Sequence, residues 1–209
     1  TGTLTDTLVA ATGESMRFDD IVAKGNGNIK VYIGYGITAI DDGFAQDCEN
    51  VDINSLVLEA GVESIGNNAF DGIEICALTL DSALETIGDY AFNSCNIANV
   101  YNNSQIITSI GDYAFANNRL NNYIYCDTLK EIGAHAYENN KISTFTQIGT
   151  DITIGDYAFA GNKIENVTLS TANKFGNYVF ANSTAIKLTA TVEDGIEKIP
   201  NGVFCGCTG

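Results

Sequence analysis

The stretch Ile87-Gly88-Asp89-Tyr90-Ala91-Phe92 returns as Ile110-Gly111-Asp112-Tyr113-Ala114-Phe115 and again as Ile154-Gly155-Asp156-Tyr157-Ala158-Phe159. Looser copies run from Ile65 to Phe70, Ile132 to Tyr137, Phe175 to Phe180 and Ile199 to Phe204, and an eroded one ends at Phe44. The final residues of these copies stand at positions 44, 70, 92, 115, 137, 159, 180 and 204, so the gaps are 26, 22, 23, 22, 22, 21 and 24. Seven of the ten phenylalanines occupy this one position, with Tyr137 in the remaining place. Recurrence at a fixed period of this length marks a repeat architecture, which has to be recognised before any local motif is weighed.

Outward from each aromatic anchor the same grammar holds. After Phe159 come Ile164, Val167 and Leu169; after Phe70 come Ile75, Leu78 and Leu80. The closing alternation has the two-residue period of a short strand with one buried face. Pairs such as Val62/Ile65, Leu84/Ile87 and Leu129/Ile132 add inward side chains ahead of the anchor. Asp89, Asp112 and Asp156 stand where a side-chain oxygen caps a single helical or 3-10 turn. Asn118, Asn140 and Asn162, three residues beyond the anchor, suit the turn that leads out of it. A unit of strand, turn, short helical turn and return has too few core side chains to offset the ordering of its backbone. It must therefore bury its flank on neighbouring units, and a parallel-strand solenoid follows.

Composition narrows the function. Among 209 residues, 26 acidic side chains face 10 basic ones, a net charge of −16 and a pI near 4.1. Such a surface repels phosphate backbones and anionic lipids, so no nucleic-acid partner is expected. No apolar run approaches the roughly 20 residues of a membrane helix, so no membrane insertion is expected. The charge is uneven: residues 1–100 hold 3 basic and 16 acidic groups, net −13, and residues 101–209 hold 7 and 10, net −3.

The run from Leu129 through Ile132-Gly133, Tyr137, Asn139-Asn140 and Ile142 resembles the BspA-like leucine-rich repeats, as does Phe204-Cys205-Gly206-Cys207-Thr208. The resemblance covers roughly residues 29–209, about eight repeats. It implies the α/β class: a right-handed leucine-rich-repeat solenoid with one curved parallel β-sheet and short helical or 3-10 turns on the other side. It also implies a secreted or cell-surface protein, with protein binding or adhesion to host extracellular proteins such as fibronectin and fibrinogen. Asn102 and Gln147 depart from the pattern in apolar slots, and Ala185 is undersized there, so those strands are expected to be shifted or wet. Residues 1–28 carry no repeat; Leu4, Leu8, Val9, Phe18, Ile21 and Val22 have helical spacing and read as an N-terminal cap. At the other end the chain stops before an expected strand, which reads as a cut solenoid.

Two surfaces are candidates for binding. The strand face should present rows containing Ala77, Asn99, Asn122, Thr144, Asn166 and Lys187, and Thr79, Tyr101, Ile124, Thr146, Thr168 and Thr189, with Tyr101 and Ile124 as its anchors. Eight coils give this face roughly 440 Å² in projection at strand spacing, below the about 800 Å² per partner of a standard interface. The second surface is a column of Tyr90, Tyr113, His135, Tyr157 and Tyr178, two residues before each anchor, with rings about 5 Å apart. Such a column offers glycan binding as an alternative to protein binding, and a structural spacer that displays another domain is a further one. His135 has no nucleophile in its repeat geometry, and the chain is expected not to be an enzyme. The six cysteines include no Cys-x-x-Cys pair and no calcium-loop spacing occurs, so no cofactor and no metal are expected. Cys95 and Cys207 share the slot of Asn118, where either residue type can be buried while bonding to backbone, and the thiols are expected to be free and mostly buried.

Overall fold

The computed structural model describes residues 7–9, 29–33, 36–46, 48, 51–59, 61–145, 151–185 and 187–208. In chain order the strands are β1 (Thr7–Val9), β2 (Ile29–Ile33), β3 (Ala39–Ile40), β4 (Asp52–Leu58), β5 (Ser64–Ile65), β6 (Glu74–Leu80) and β7 (Thr86–Ile87). They continue as β8 (Asn99–Asn102), β9 (Ser109–Ile110), β10 (Glu131–Ile132), β11 (Ile152–Ile154), β12 (Asn166–Leu169), β13 (Asn173–Phe175) and β14 (Thr189–Val192). Every pairing is parallel, between one coil and the next.

The expected α/β solenoid with one sheet is corrected in two respects. No helix forms among the described residues, and the strands make three sheets: β1-β2-β4-β6-β8, β13-β11-β10-β9-β7-β5-β3 and β12-β14. The second members of the pairs expected only to fill core, Ile65, Ile87 and Ile132, lie in the short strands β5, β7 and β10 of the seven-stranded sheet. The Gly-Asp-Tyr-Ala-Phe segment is a turn because its backbone bonds go to the next coil. Asn68 N–H donates to Asp89 C=O, Phe70 to Ala91 and Tyr90 to Asp112, at 2.8–2.9 Å. Two left-handed residues per coil then exclude a helix. The first series is Gly43, Asn68, Tyr90, Tyr113, His135, Tyr157, Tyr178 and Gly202, with φ between 54° and 63°. The second is Gly72, Ser94, Asn117, Asn139, Gly161, Asn182 and Gly206. A helix tolerates no such residue in its interior.

The aspartates expected as helix caps serve the same inter-coil ladder. Asp89 Oδ1 accepts from Asp112 N–H at 2.8 Å, Asp112 Oδ1 from Ala134 N–H at 2.6 Å and Asp156 Oδ1 from Asn177 N–H at 2.7 Å. Beside them runs a glycine column that keeps the coils this close. A Cβ on Gly88 would lie 2.7 Å from Gly66 C and from Asn67 Oδ1.

The anchors Phe70, Phe92, Phe115, Tyr137, Phe159 and Phe180 are fully buried and stack along the axis with centroids 5.3–6.0 Å apart. In the first described repeat the anchor is displaced by one residue. Ala45 N–H donates to Ala69 C=O, in the register that Phe70 N–H keeps with Ala91, so Ala45 takes the anchor place. Phe44 meets Phe70 edge-on at 5.6 Å instead. Of the expected helical cap over residues 1–28, the described part is β1, a strand paired with β2; the rest lies outside the described residues.

Candidate binding faces

The strand face follows from register. Lys30, Ser55, Ala77 and Asn99 align across β2, β4, β6 and β8, and Tyr32, Val57, Thr79 and Tyr101 align beside them. Residues on either side of these, such as Leu56, Leu78 and Leu80, are buried, so both rows face outward. Tyr101 is 58% exposed. The expected row of Ala77 and Asn99 is thus extended toward the N-terminus by Lys30 and Ser55, and that of Thr79 and Tyr101 by Tyr32 and Val57. Their signal was the same alternation, hidden in Leu56-Val57-Leu58, which reads as a continuous apolar run.

Beyond β8 the face changes. Ile124 is 2% exposed and belongs to the core, not to the binding surface. The segment 121–126 forms no strand. The cause lies one coil away, where Tyr137 carries the only hydroxyl in the anchor column. That hydroxyl is buried and takes the N–H of Ile124 at 3.2 Å, which withdraws it from a strand ladder. Burial also pushes the Tyr137 phenol well above its ordinary pKa. Tyr125, ten residues after its anchor as the buried Leu80 and Leu169 are after theirs, is 47% exposed, and Asn122 is exposed as well. The face resumes with the isolated bridge of Thr144 to Asn166 and with β12, where Asn166 is exposed and Thr168 half-buried. Asn166 aligns with Thr189 and Thr168 with Thr191, two residues off the expected pairing with Lys187 and Thr189. Thr146 and Gln147 lie outside the described residues. Asn102 turns back to exchange hydrogen bonds with Ser104, at 3.0 and 3.1 Å, and so fills its apolar slot without an unpaired group.

The aromatic column is brought together as the spacing requires. Centroids of Tyr90, Tyr113, His135, Tyr157 and Tyr178 are 4.7, 4.4, 4.9 and 4.8 Å apart in turn, with rings within 8° of parallel. Each internal ring is covered on both faces, so the column presents edges and hydroxyls outward. Desolvation in the stack, then the neighbouring phenol, raises the Tyr113 and Tyr157 pKa values. His135 Nδ1 lies 2.8 Å from Glu138 Oε2.

Inside the turns the asparagine ladder is fully engaged. Asn118 Oδ1 accepts from Ile97 N–H at 2.8 Å, while Nδ2 donates to the carbonyls of Phe92, Phe115 and Ala116 at 2.7–3.1 Å. Cys95 and Cys207 replace it with thiols aimed at the Phe70 and Phe180 carbonyls. All six cysteines are free thiols, but only Cys95 and Cys126 are buried; Cys76 and Cys205 are exposed, contrary to the expectation of mostly buried thiols. Among the described residues no group of three or more His, Cys, Asp or Glu side chains is placed to hold a metal ion. Nor, among them, is any helix long and apolar enough to cross a membrane.

Stacked parallel coils of about 23 residues, an aromatic anchor and a buried Asn/Cys ladder define a leucine-rich-repeat solenoid. The chain belongs to the BspA type leucine-rich repeat family, whose pattern matches residues 38–153 and 102–209 in six copies. Among solved structures it is similar to a leucine-rich repeat protein from Bacteroides ovatus, with 17% identity over 86% of this chain and 61% of that one, at a TM-score of 0.49. It is also similar to a leucine-rich repeat protein from Eubacterium ventriosum, with 17% identity over 74% of this chain and 64% of that one, at a TM-score of 0.40. The chain thus spans a little under two thirds of the length of either. The curated proteins contain no match to it.

Proposed function

We propose that this chain is a non-enzymatic binding module of a secreted or cell-surface protein, and that it adheres to host extracellular proteins through the strand face. The observation that carries this reading is the outward row Tyr32–Val57–Thr79–Tyr101 on four hydrogen-bonded strands, with its most exposed side chain an aromatic one. Tyrosines are favoured interface anchors because they give large contact area with little rotamer loss. The five-stranded part of the face covers only roughly 250 Å² at strand spacing, so a single module binds weakly and tight adhesion requires several contacts acting together. A spacer role is the competing reading, and it predicts no such binding. Glycan binding along the aromatic column would have to use the ring edges.

The test is surface plasmon resonance of the chain over immobilised fibronectin and fibrinogen. Saturable binding is expected to one of them, weakened about 30-fold by Tyr101→Ser, the effect of losing a hot spot worth roughly 2 kcal/mol. No saturable signal from either protein removes the adhesive reading and favours the spacer.

A further inference from the structure

One bond joins successive coils six times over. Gly66 N–H donates to Ile40 C=O, Gly88 to Ile65, Gly111 to Ile87, Gly133 to Ile110, Gly155 to Ile132 and Gly176 to Ile154, each at 2.8 Å. At the seventh step the acceptor position is Phe175 and the donor position is Pro200, the single proline of the chain. Proline has no N–H to give. Its ring also occupies a column that is glycine at the six preceding steps for lack of room: a Cβ on Gly176 would lie 2.6 Å from Asp156 Oδ1. The last coil accordingly stands away ahead of this point and rejoins at Asn201, whose N–H donates to Asn177 Oδ1 at 3.2 Å and whose C=O accepts from Tyr178 N–H at 2.9 Å. The seven-stranded sheet ends at β13 and residues 196–199 form no strand. Ile199 is 53% exposed, whereas Ile65, Ile87 and Ile110 in the same column are at most 2% exposed.

The divergence opens a cleft of about 310 Å³ between the last two coils, lined by Leu169, Phe175, Ile196, Lys174, Lys198 and Pro200 among others. Alternate residues of a parallel strand bond to opposite neighbours. Gly176 bonds back to the preceding coil, so the main-chain groups of Phe175 point forward into the cleft. Among the described residues no turn or loop hydrogen bond joins its N–H or its C=O to the last coil. Two lysines stand on the rim. Lys174 Nζ pairs with Asp151 at 3.1 Å, with both side chains about three-quarters exposed, and Lys198 makes no ion pair among the described residues. Asp194 and Glu197 are close in sequence but do not line the cleft.

We propose that this cleft accepts an extended acidic peptide segment of a partner protein, which adds as a strand to the free edge of β13. The segment's main chain satisfies Phe175, an alternate apolar side chain enters between Leu169 and Ile196, and its carboxylates meet Lys198 and Lys174. Strand addition of this kind draws affinity from main-chain bonds and selectivity from alternate side chains. The site uses neither the outward rows of the strand face nor the aromatic column, and it stands or falls separately from adhesion.

The probe is a fluorescein-labelled hexapeptide of alternating valine and glutamate, titrated by anisotropy, with a valine-lysine counterpart. Saturable binding of the acidic peptide alone is expected, weakened tenfold or more by Lys198→Glu and unchanged by Lys163→Glu, an exposed lysine that does not line the cleft. Pro200→Gly returns the missing donor and the missing room, so it should close the cleft and abolish binding. Hydrogen exchange reads the edge directly: the Phe175 amide should exchange at least tenfold faster than the Ile154 amide, and Pro200→Gly should slow it. The proposal is overturned by equal binding of both peptides or of neither, by undiminished binding in Lys198→Glu, or by a Phe175 amide as protected as that of Ile154.

Discussion

A buried amide must find partners for one acceptor and two donor hydrogens, and Asn118 finds them on two coils at once. Its bonds to Ile97, Phe92, Phe115 and Ala116 tie the exit of one turn to the next. Asn118→Ala should leave the Ile97 N–H and the Phe92 carbonyl buried without partners, while the Phe115 carbonyl keeps its bond from Asn140 Nδ2 at 2.9 Å. At about 1–3 kcal/mol for each of these two groups, a loss of roughly 2–6 kcal/mol is expected. Asn118→Cys should be milder, because the thiol of Cys95 already serves the Phe70 carbonyl at the corresponding place. Urea unfolding measures both, and a loss under about 1 kcal/mol for the alanine variant would mean that the ladder is decorative. The aspartates one turn earlier were less legible. An aspartate after glycine caps a helix or bonds to another chain segment equally well, and the deciding amide lies about 22 residues away, outside any local window.

Among the elements, the turn carries an uncommon combination of aromatic side chains and left-handed backbone. Tyr113 holds φ at 56°, a conformation costing roughly 1 kcal/mol for a residue other than glycine. Two stacking contacts offset it, each worth about 0.5–1.5 kcal/mol. Tyr113→Ala loses the stacks and keeps the strain, whereas Tyr113→Gly loses the stacks and the strain together. The glycine variant should therefore melt above the alanine variant, with both below the parent by calorimetry. The reverse order would show that left-handed strain at this position does not weigh on stability. The repeat period, the strand alternation and the aromatic column were all legible because each follows from spacing alone. The interruption after β8 was not, since it depends on one hydroxyl. Tyr137 passes for phenylalanine in a hydrophobic pattern, yet its buried oxygen takes the Ile124 N–H and ends the sheet. The loss of strand pairing at Pro200 was legible in principle, because a residue without an N–H had entered a column whose N–H groups all donate.

Across the whole molecule the charge is a burden concentrated in the first half, net −13 over residues 1–100 against −3 over the remainder. Among the described residues the one ion pair of lysine or arginine with a carboxylate is Lys174–Asp151, and it lies in the second half, as does the hydrogen-bonded contact of His135 with Glu138. Like charges in the acidic half are relieved mainly by salt, whose screening length falls from about 30 Å at 0.01 M to about 3 Å at 1 M. Melting temperature should rise by several degrees between those concentrations of sodium chloride. A flat or falling profile would show that this repulsion is already balanced locally. The solenoid was legible at this scale as well, because a repeat unable to bury its own flank has only its neighbours to use. Where the coils part was settled by side-chain chemistry at single steps. The six glycine-to-isoleucine bonds also have a mechanical meaning. They follow one another along the axis, so a pull on the two ends loads them in series, like links of a chain. The tension such an array withstands is set by its weakest link rather than by the sum, and the step at Pro200 has lost the glycine bond that the six earlier steps keep.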